Sequence, residues 1–329
     1  MTRKHSISTW LGQNVRASTV LLVSLLLLVP SQAMANSEQS SMWHDARAGV
    51  NGGVLGALAM PLNNETTGGE IILDYSEITP VVEVYTATWC LNCVTTEQAL
   101  DEAIGDSDVM RIHYHRHRSE PEDPFGNNAT EHRWESIYGD ASTAVAGMSR
   151  VAPSTVFDGE RMHLGTTSSS SSLTNDYSTS LATGSSWLFT GSAQMSVYAT
   201  ESGTMQFSWN ITDLRADYDG DHPTLTLTPW LLFVEESASF PDGSNGVGDY
   251  LHVLHHAVEL DDSSGDMSVQ VPQVWDGDDM YAVLIVDWEY TDEIKPCCGP
   301  FPVPGPGFAA ALVCFILALL PSRRKRLST

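Results

Sequence analysis

The chain has little positive charge and almost no lysine away from its two ends. It carries 16 lysine and arginine residues against 41 aspartate and glutamate residues, for a formal net charge of −25. Between residues 36 and 321, Lys295 is the one lysine. Such an acidic body repels phosphate backbones, so we expect no nucleic-acid partner.

Cysteines and long hydrophobic runs are also scarce. Five cysteines in 329 residues are too few for a disulfide scaffold. Hydrophobic residues make up 42% of the chain and charged residues 17%, which excludes both a polytopic membrane protein and a wholly disordered chain. The length allows two ordinary domains.

Two apolar runs lie near the ends of the chain. Residues 20–29 follow basic residues and precede Ala33-Met34-Ala35, the order of a secretory signal, so we predict a signal peptide over 1–35. An uncleaved N-terminal anchor is the alternative. The run 308–320 is followed by basic residues, which the positive-inside rule keeps in the cytoplasm. We therefore predict an exported body at the extracellular face, anchored through the membrane by residues 308–321, with a cytoplasmic tail at 322–329.

The C-terminal run is short for a permanent membrane span, because its residues would cover only about 20 Å of a ~30 Å bilayer core. Pro306-Gly307-Phe308, the apolar stretch and the arginine-rich end together resemble the PGF-CTERM sorting signal of archaeal surface proteins. That resemblance implies removal of the tail and attachment of the body to a lipid. A plain C-terminal anchor is the alternative.

Residues 71–184 alternate between strand-like and helix-like segments. A β-branched strand at 81–85 precedes a helix at 91–104, and a second strand covers 109–115. A short helix ending at Gly139 follows, then a hairpin that turns at Asp158-Gly159 and a helix near 173–181. The order β-α-β-α-β-β-α predicts a central sheet flanked by helices.

The pattern changes after residue 186. Six strand-like segments, most of them separated by turn residues, fill 187–291 and predict an immunoglobulin- or fibronectin-like β-sandwich. The small, polar and glycine-rich residues 36–70 predict a linker or a loosely packed arm. Residues 292–307 are rich in proline and glycine and predict a second linker.

The sequence Trp89-Cys90-Leu91-Asn92-Cys93 lies between the first strand and the first helix. A helix N-terminus stabilises a thiolate, so Cys90 is the predicted exposed nucleophile and Cys93, one turn later, the buried resolving thiol. Half of a zinc site has the same cysteine spacing, but 71–184 contains no second such pair. Leu91-Asn92 does not indicate whether the pair oxidises or reduces its partner.

Residues 78–165 resemble the thioredoxin-like superfamily. The matching segments are the strand, tryptophan, cysteine pair and helix start of 81–93 and the loop 151–155, whose proline is cis in that family. The resemblance implies an α/β thioredoxin-like domain over 71–184, followed by the all-β sandwich of 187–291. It also implies that Pro153 shapes a substrate groove that exposes the backbone of Ala152, and that Trp89 shields it. We expect no cofactor.

A closer resemblance is to secreted thioredoxin-like proteins related to bacterial outer-membrane lipoproteins, which share the pattern of residues 83–93. The family's usual buried acid lies six positions before the first cysteine, where this chain has Val84. Glu83 is the neighbouring acid, and a neighbouring strand position faces the other side of the sheet unless a bulge intervenes. We therefore consider Glu83 as a proton acceptor, with a paired strand carboxylate as the alternative.

These observations predict a surface-tethered thiol–disulfide oxidoreductase that acts on protein thiols and disulfides, with the membrane as a second partner. One alternative is a non-catalytic surface-binding protein with a stable disulfide. The other is a copper metallochaperone that would use the thiols of Cys90 and Cys93. His113, His115 and His117 alternate and would share one strand face, which is a possible metal site. Neighbouring arginines would repel a cation there, so we expect no metal site. Cys297 and Cys298 adjoin the second linker, and their pairing stays open.

Overall fold

The computed structural model describes residues 43–63, 67–118, 123–200, 204–217 and 224–290. The predicted signal peptide, the second linker, the anchor, the basic tail and Cys297 and Cys298 lie outside the described residues. Among the helices within the described ranges, none combines the length and the hydrophobicity that crossing a bilayer requires.

The described residues form thirteen strands and three helices. The strands are β1 (His44–Asp45), β2 (Gly52–Pro61), β3 (Gly68–Asp74), β4 (Val81–Thr86), β5 (Met110–His115), β6 (Ser154–Phe157), β7 (Arg161–Leu164), β8 (Leu188–Ala199), β9 (Met205–Asp217), β10 (Leu225–Ser239), β11 (Asp249–Glu259), β12 (Ser264–Val269) and β13 (Met280–Tyr290). The helices are α1 (Leu91–Ile104), α2 (Asn128–Ala146) and α3 (Leu173–Thr183).

The predicted fold class, an α/β thioredoxin-like domain followed by a separate β-sandwich, is wrong. The described part of the chain is mostly β, and strands from both predicted domains join one nine-stranded mixed sheet in the order β1-β7-β6-β4-β5-β11-β10-β13-β2. The junction is a parallel pairing of β5 with β11, where His113 lies opposite Val253. Sequence periodicity marks each strand but carries no information on which edge it pairs with, so this junction was not predictable.

Residues 36–70 also differ from the prediction of a linker or arm. Residues 52–61 form β2, which pairs antiparallel with β13 at one edge of the large sheet. Residues 68–74 form β3, the edge of a four-stranded sheet in the order β12-β9-β8-β3. Small residues suit β2 because backbones approach closely there: a Cβ on Gly52 would lie 2.8 Å from the Trp288 carbonyl oxygen.

Three apolar layers hold these elements together. One face of the large sheet packs on α2 through Tyr85, Tyr114 and Trp134. At the other end of the sheet, a second layer joins it to the four-stranded sheet, where Leu231 and Phe207 are among the buried residues. The third layer places α1 and α3 against the opposite face of β4; its members include Val82, Val84, Leu100 and Tyr177. The alternation of β4 side chains thus assigns each helix to its face of the sheet.

The individual elements predicted from the sequence are largely confirmed. The helix at 91–104 is α1, and the turn at Asp158-Gly159 has positive φ angles of 49° and 64°, which suit a two-residue hairpin turn. The prediction that the second helix ends at Gly139 is wrong, because the helix continues to Ala146. Helix α2 runs from a capping box at Asn127 to a left-handed Gly147 with a φ of 75°, because interior packing tolerates Gly139.

Candidate functional site

The cysteine pair lies where β4 passes into α1. A turn joins the two elements, and the Cys90 backbone N–H donates to the Ala87 carbonyl oxygen at 3.0 Å. Cys90 is the N-cap residue of α1, and a disulfide joins it to Cys93. We call residues 87–90 the active-site turn.

Both cysteines are buried, so the prediction that Cys90 is exposed is wrong, although Cys90 is the less buried of the two. Cys90 is 6% exposed, whereas Cys93 is completely buried. The Cys90 Sγ accepts a hydrogen bond from the Cys93 backbone N–H at 3.2 Å. A thiolate at Cys90 would occupy the same position, beside the unpaired N–H groups of the first helical turn and with no acidic residue in that turn. This environment favours the charged form of Cys90.

The peptide bond between Ala152 and Pro153 is cis, as expected from the sequence resemblance. Ala152 packs against the two cysteines. Ser154, the next residue, begins β6 and pairs with Tyr85 of β4, which fixes the loop relative to the cysteines. Within the described residues, no backbone group pairs with the N–H or the carbonyl of Ala152. This short backbone edge can therefore pair with an extended segment of a partner.

Trp89 also packs against the cysteines and is half-buried. The guanidinium carbon of Arg116 lies 5.3 Å from the centre of its indole ring, a cation–π distance. Trp89 thus contacts both the cysteines and Arg116, and its shielding of a substrate groove stays a prediction.

Glu83 does not face the cysteines. Its carboxylate is buried on the α2 side of the large sheet, where it accepts hydrogen bonds from the hydroxyls of Tyr114 and Tyr138. Arg133 of α2 lies 3.4 Å from the same carboxylate. No bulge interrupts the pairing of β4 with β5, so Glu83 projects away from α1. The alternative weighed for this residue, a paired strand carboxylate, describes what is found.

The structure holds a different acid, on α1, against β4, and no sequence motif pointed to this residue. Glu97 lies on α1 four residues after Cys93, and its carboxylate accepts a hydrogen bond from the Thr86 hydroxyl at 2.6 Å. Residues four apart on a helix are neighbours on its surface. Burial raises the pKa of Glu97 above its ordinary value, and the Thr86 hydrogen bond partly opposes this shift. The Cys93–Glu97 spacing on a predicted helix was the available signal.

A second buried polar pair holds the start of the active-site turn. Asp123 accepts a hydrogen bond from the Thr88 backbone N–H at 2.8 Å, and it lies 3.0 Å from Nδ1 of His115. The other ring nitrogen of His115 is buried without a hydrogen-bond partner in the described residues. The tautomer of His115 that donates from Nδ1 to Asp123 satisfies this pair.

The alternating histidines are divided between two environments. His113 is buried and its ring lies 5.6 Å from the ring of His252 on β11. Burial lowers the pKa of His113 well below its ordinary value and that of His252 to about 4, so both are neutral near pH 7. Across the described ranges, no three histidine, cysteine, aspartate or glutamate side chains are grouped as metal ligands.

Comparisons with known proteins give no family. No protein-family model matches this chain, and no curated protein sequence matches it. One similar solved structure is the protein AGR_C_4864 from Agrobacterium tumefaciens, with 14% identity, a TM-score of 0.35, and coverage of 62% of this chain and 77% of that one. HBP35 of Porphyromonas gingivalis has 18% identity and a TM-score of 0.34; the match covers 64% of this chain and 63% of HBP35, less than two thirds of its length.

Proposed function

We propose that this protein is a thiol–disulfide oxidoreductase that exchanges electrons with protein thiols and disulfides through Cys90 and Cys93. The observation that carries the proposal is the disulfide in the first turn of α1, with the less buried cysteine at the N-cap and Ala152 packed against the pair. The motif-level resemblance of residues 81–93 and 151–155 to thioredoxin-like proteins supports the same activity.

The position of the disulfide favours exchange over a purely structural role. Its two cysteines are only three positions apart, so the bond restricts the unfolded chain little. Both cysteines also belong to one turn and one helix, which the backbone hydrogen bonds of α1 already hold together. A stable disulfide without turnover would therefore contribute little to this fold.

In the reducing direction, the Cys90 thiolate attacks one sulfur of a partner disulfide. A mixed disulfide forms, and the other partner sulfur leaves as a thiolate. Cys93 then loses its proton and attacks Cys90 Sγ, which re-forms the Cys90–Cys93 disulfide and releases the second partner thiolate. Two electrons pass from the protein to its partner, and the oxidising direction reverses each step.

The buried position of Cys93 means that its proton needs a nearby acceptor. We propose Glu97 for this role, because it lies one helical turn from Cys93 and, among the described residues, accepts its hydrogen bond from the neutral Thr86 hydroxyl. The Ala152 backbone would pair with an extended partner segment, which brings the partner's sulfur to Cys90. Trp89 would limit the approach from its own side. The predicted export would place this exchange at the extracellular face.

The test is reduction of a disulfide-bonded protein such as insulin by the full-length protein, with dithiothreitol as electron source. We expect activity in the wild type and background rates in Cys90→Ser. Cys93→Ala should accumulate a mixed disulfide with its partner, because the resolving thiol is gone. Equal rates in wild type and Cys90→Ser, with no trapped partner, would reject the proposal and favour a non-catalytic surface protein.

A further inference from the structure

The β10–β11 loop, residues 240–248, lies directly on the active-site turn. The backbone N–H of Asn245 donates to the Thr88 carbonyl oxygen at 3.1 Å, and its side-chain amide lies 3.3 Å from the Ala87 carbonyl oxygen. The Tyr250 hydroxyl is 3.1 Å from the Thr88 carbonyl and 2.7 Å from Asn245 Oδ1. These contacts join segments about 160 positions apart in the chain.

The approach of the loop is so close that one position must be glycine. A Cβ on Gly243 would lie 2.0 Å from the Tyr250 hydroxyl oxygen and 3.1 Å from the Thr88 carbonyl oxygen. Asn245 Oδ1 also accepts a hydrogen bond from the Val247 backbone N–H at 3.1 Å, which stabilises the loop itself. The tyrosine ring packs against Phe125 and His115. The packing of the ring and the hydrogen bonds to Thr88 and Asn245 therefore fix the position of the Tyr250 hydroxyl.

The loop forms hydrogen bonds with Ala87 and Thr88, the residues that define the position of Cys90. The Ala87 carbonyl accepts the Cys90 N–H, which closes the active-site turn, and the same carbonyl accepts the Asn245 amide. Thr88 is held at both of its peptide groups, by Asp123 at its N–H and by Asn245 and Tyr250 at its carbonyl. A looser turn would let Cys90 Sγ leave the N-cap position, where the helix stabilises its thiolate.

We propose that Asn245 and Tyr250 are positioning residues of the redox site. They hold the active-site turn so that Cys90 stays at the N-terminus of α1, and they make β11 and the β10–β11 loop part of the site. The proposal deepens, and rests on, the function proposed above. It requires that the reactivity of Cys90, and not only the stability of the fold, depends on two side chains outside α1 and β4.

The test compares Tyr250→Phe, Asn245→Ala and the double variant with wild type. The reduced full-length proteins are alkylated with iodoacetamide across a pH range, and modification of Cys90 is followed by peptide mass spectrometry. Tyr250→Phe removes one hydroxyl and keeps the ring packing. Ser244→Ala, an exposed position in the same loop with no bond to the turn, is the matched control.

We expect each single variant to raise the Cys90 thiol pKa by about half a unit, which lowers the alkylation rate about threefold at pH values well below that pKa. The effects should be less than additive in the double variant, because both side chains act on one turn. Ser244→Ala should match wild type. Variants that unfold more easily but keep the wild-type Cys90 titration would overturn the proposal.

This titration needs no partner protein, so it separates the two proposals. Absence of disulfide exchange in the wild type would reject the proposed function, while the Cys90 titration would still decide the role of the loop. Where exchange is present, kcat/KM in Tyr250→Phe and Asn245→Ala should fall together with the thiolate fraction. An unchanged kcat/KM would contradict the proposed positioning role of Asn245 and Tyr250.

Discussion

Replacing Glu97 by glutamine should lower the pKa of the Cys93 thiol. The carboxylate of Glu97 is held towards β4 by the Thr86 hydroxyl, one helical turn from Cys93. A negative charge at this position opposes formation of a second negative charge on the buried Cys93 sulfur. Glutamine preserves the size of the side chain and can still bond to Thr86, but it carries no charge and accepts no proton.

The expected size of the shift follows from the helix geometry. Residues four apart have Cβ atoms about 6 Å from one another. At that separation and an effective dielectric constant of about 20, two like charges repel by roughly 3 kcal/mol, or about two pKa units. The charged atoms lie farther out than the Cβ atoms, so we expect the Cys93 pKa to fall by between about one and two units.

The assay uses the Cys90→Ser background, in which Cys93 cannot form its disulfide. Alkylation of Cys93 is measured against pH by peptide mass spectrometry, which separates it from the other cysteines of the chain. Glu102→Gln, at an exposed position of the same helix, is the matched control. Glu83→Gln is a second control, because Glu83 faces the opposite side of the sheet.

Both controls should leave the Cys93 titration close to that of the background protein. An equal shift in Glu97→Gln and Glu102→Gln would show a general charge effect and remove the specific role of Glu97. A shift in Glu83→Gln alone would restore the expectation drawn from the sequence. In the otherwise wild-type protein, Glu97→Gln should also slow the resolution of a trapped mixed disulfide, since the proton acceptor is lost.

Two further predictions concern stability. Arg133 is fully buried between Glu83 and Asp287. Arg133→Ala should lower the free energy of unfolding by roughly 3–5 kcal/mol in urea titrations, because it removes the cation paired with the buried Glu83 carboxylate and leaves Asp287 with Arg47. A loss below about 1 kcal/mol, or one equal to that of the exposed Arg215→Ala, would contradict this reasoning. Burial lowers the pKa of His163 from 6.5 to about 4, so the unfolded chain takes up its proton first as the pH falls. The free energy of unfolding should therefore drop between pH 6.5 and 4, and His163 should account for roughly 3 kcal/mol of that drop. His163→Gln should reduce the drop, and an equal drop in both proteins would refute the role of His163.

The sequence determined the local features of this protein. The β-branched run at 81–85, the helical spacing of 91–104 and the Asp158-Gly159 turn each depend on neighbouring residues, and each element forms where it was predicted. The same holds for the order of accessibility of Cys90 and Cys93, because a residue at a helix N-cap lies nearer the surface than one a turn later.

Only the tertiary structure decided how these elements combine. The pairing of β5 with β11 merges two expected domains into one sheet, and it depends on edges that carry no local signature. The same merging brings Asn245 and Tyr250 onto the active-site turn. The side of the sheet on which an acid lies is also a tertiary property, because packing of β4 between α1 and α2 directs Glu83 to the α2 side, whereas Glu97 bonds to Thr86 on the α1 side. The alternation of side chains along a strand and the spacing of residues along a helix limit where an acidic side chain can lie. Contacts between distant segments then decide which of these places it occupies.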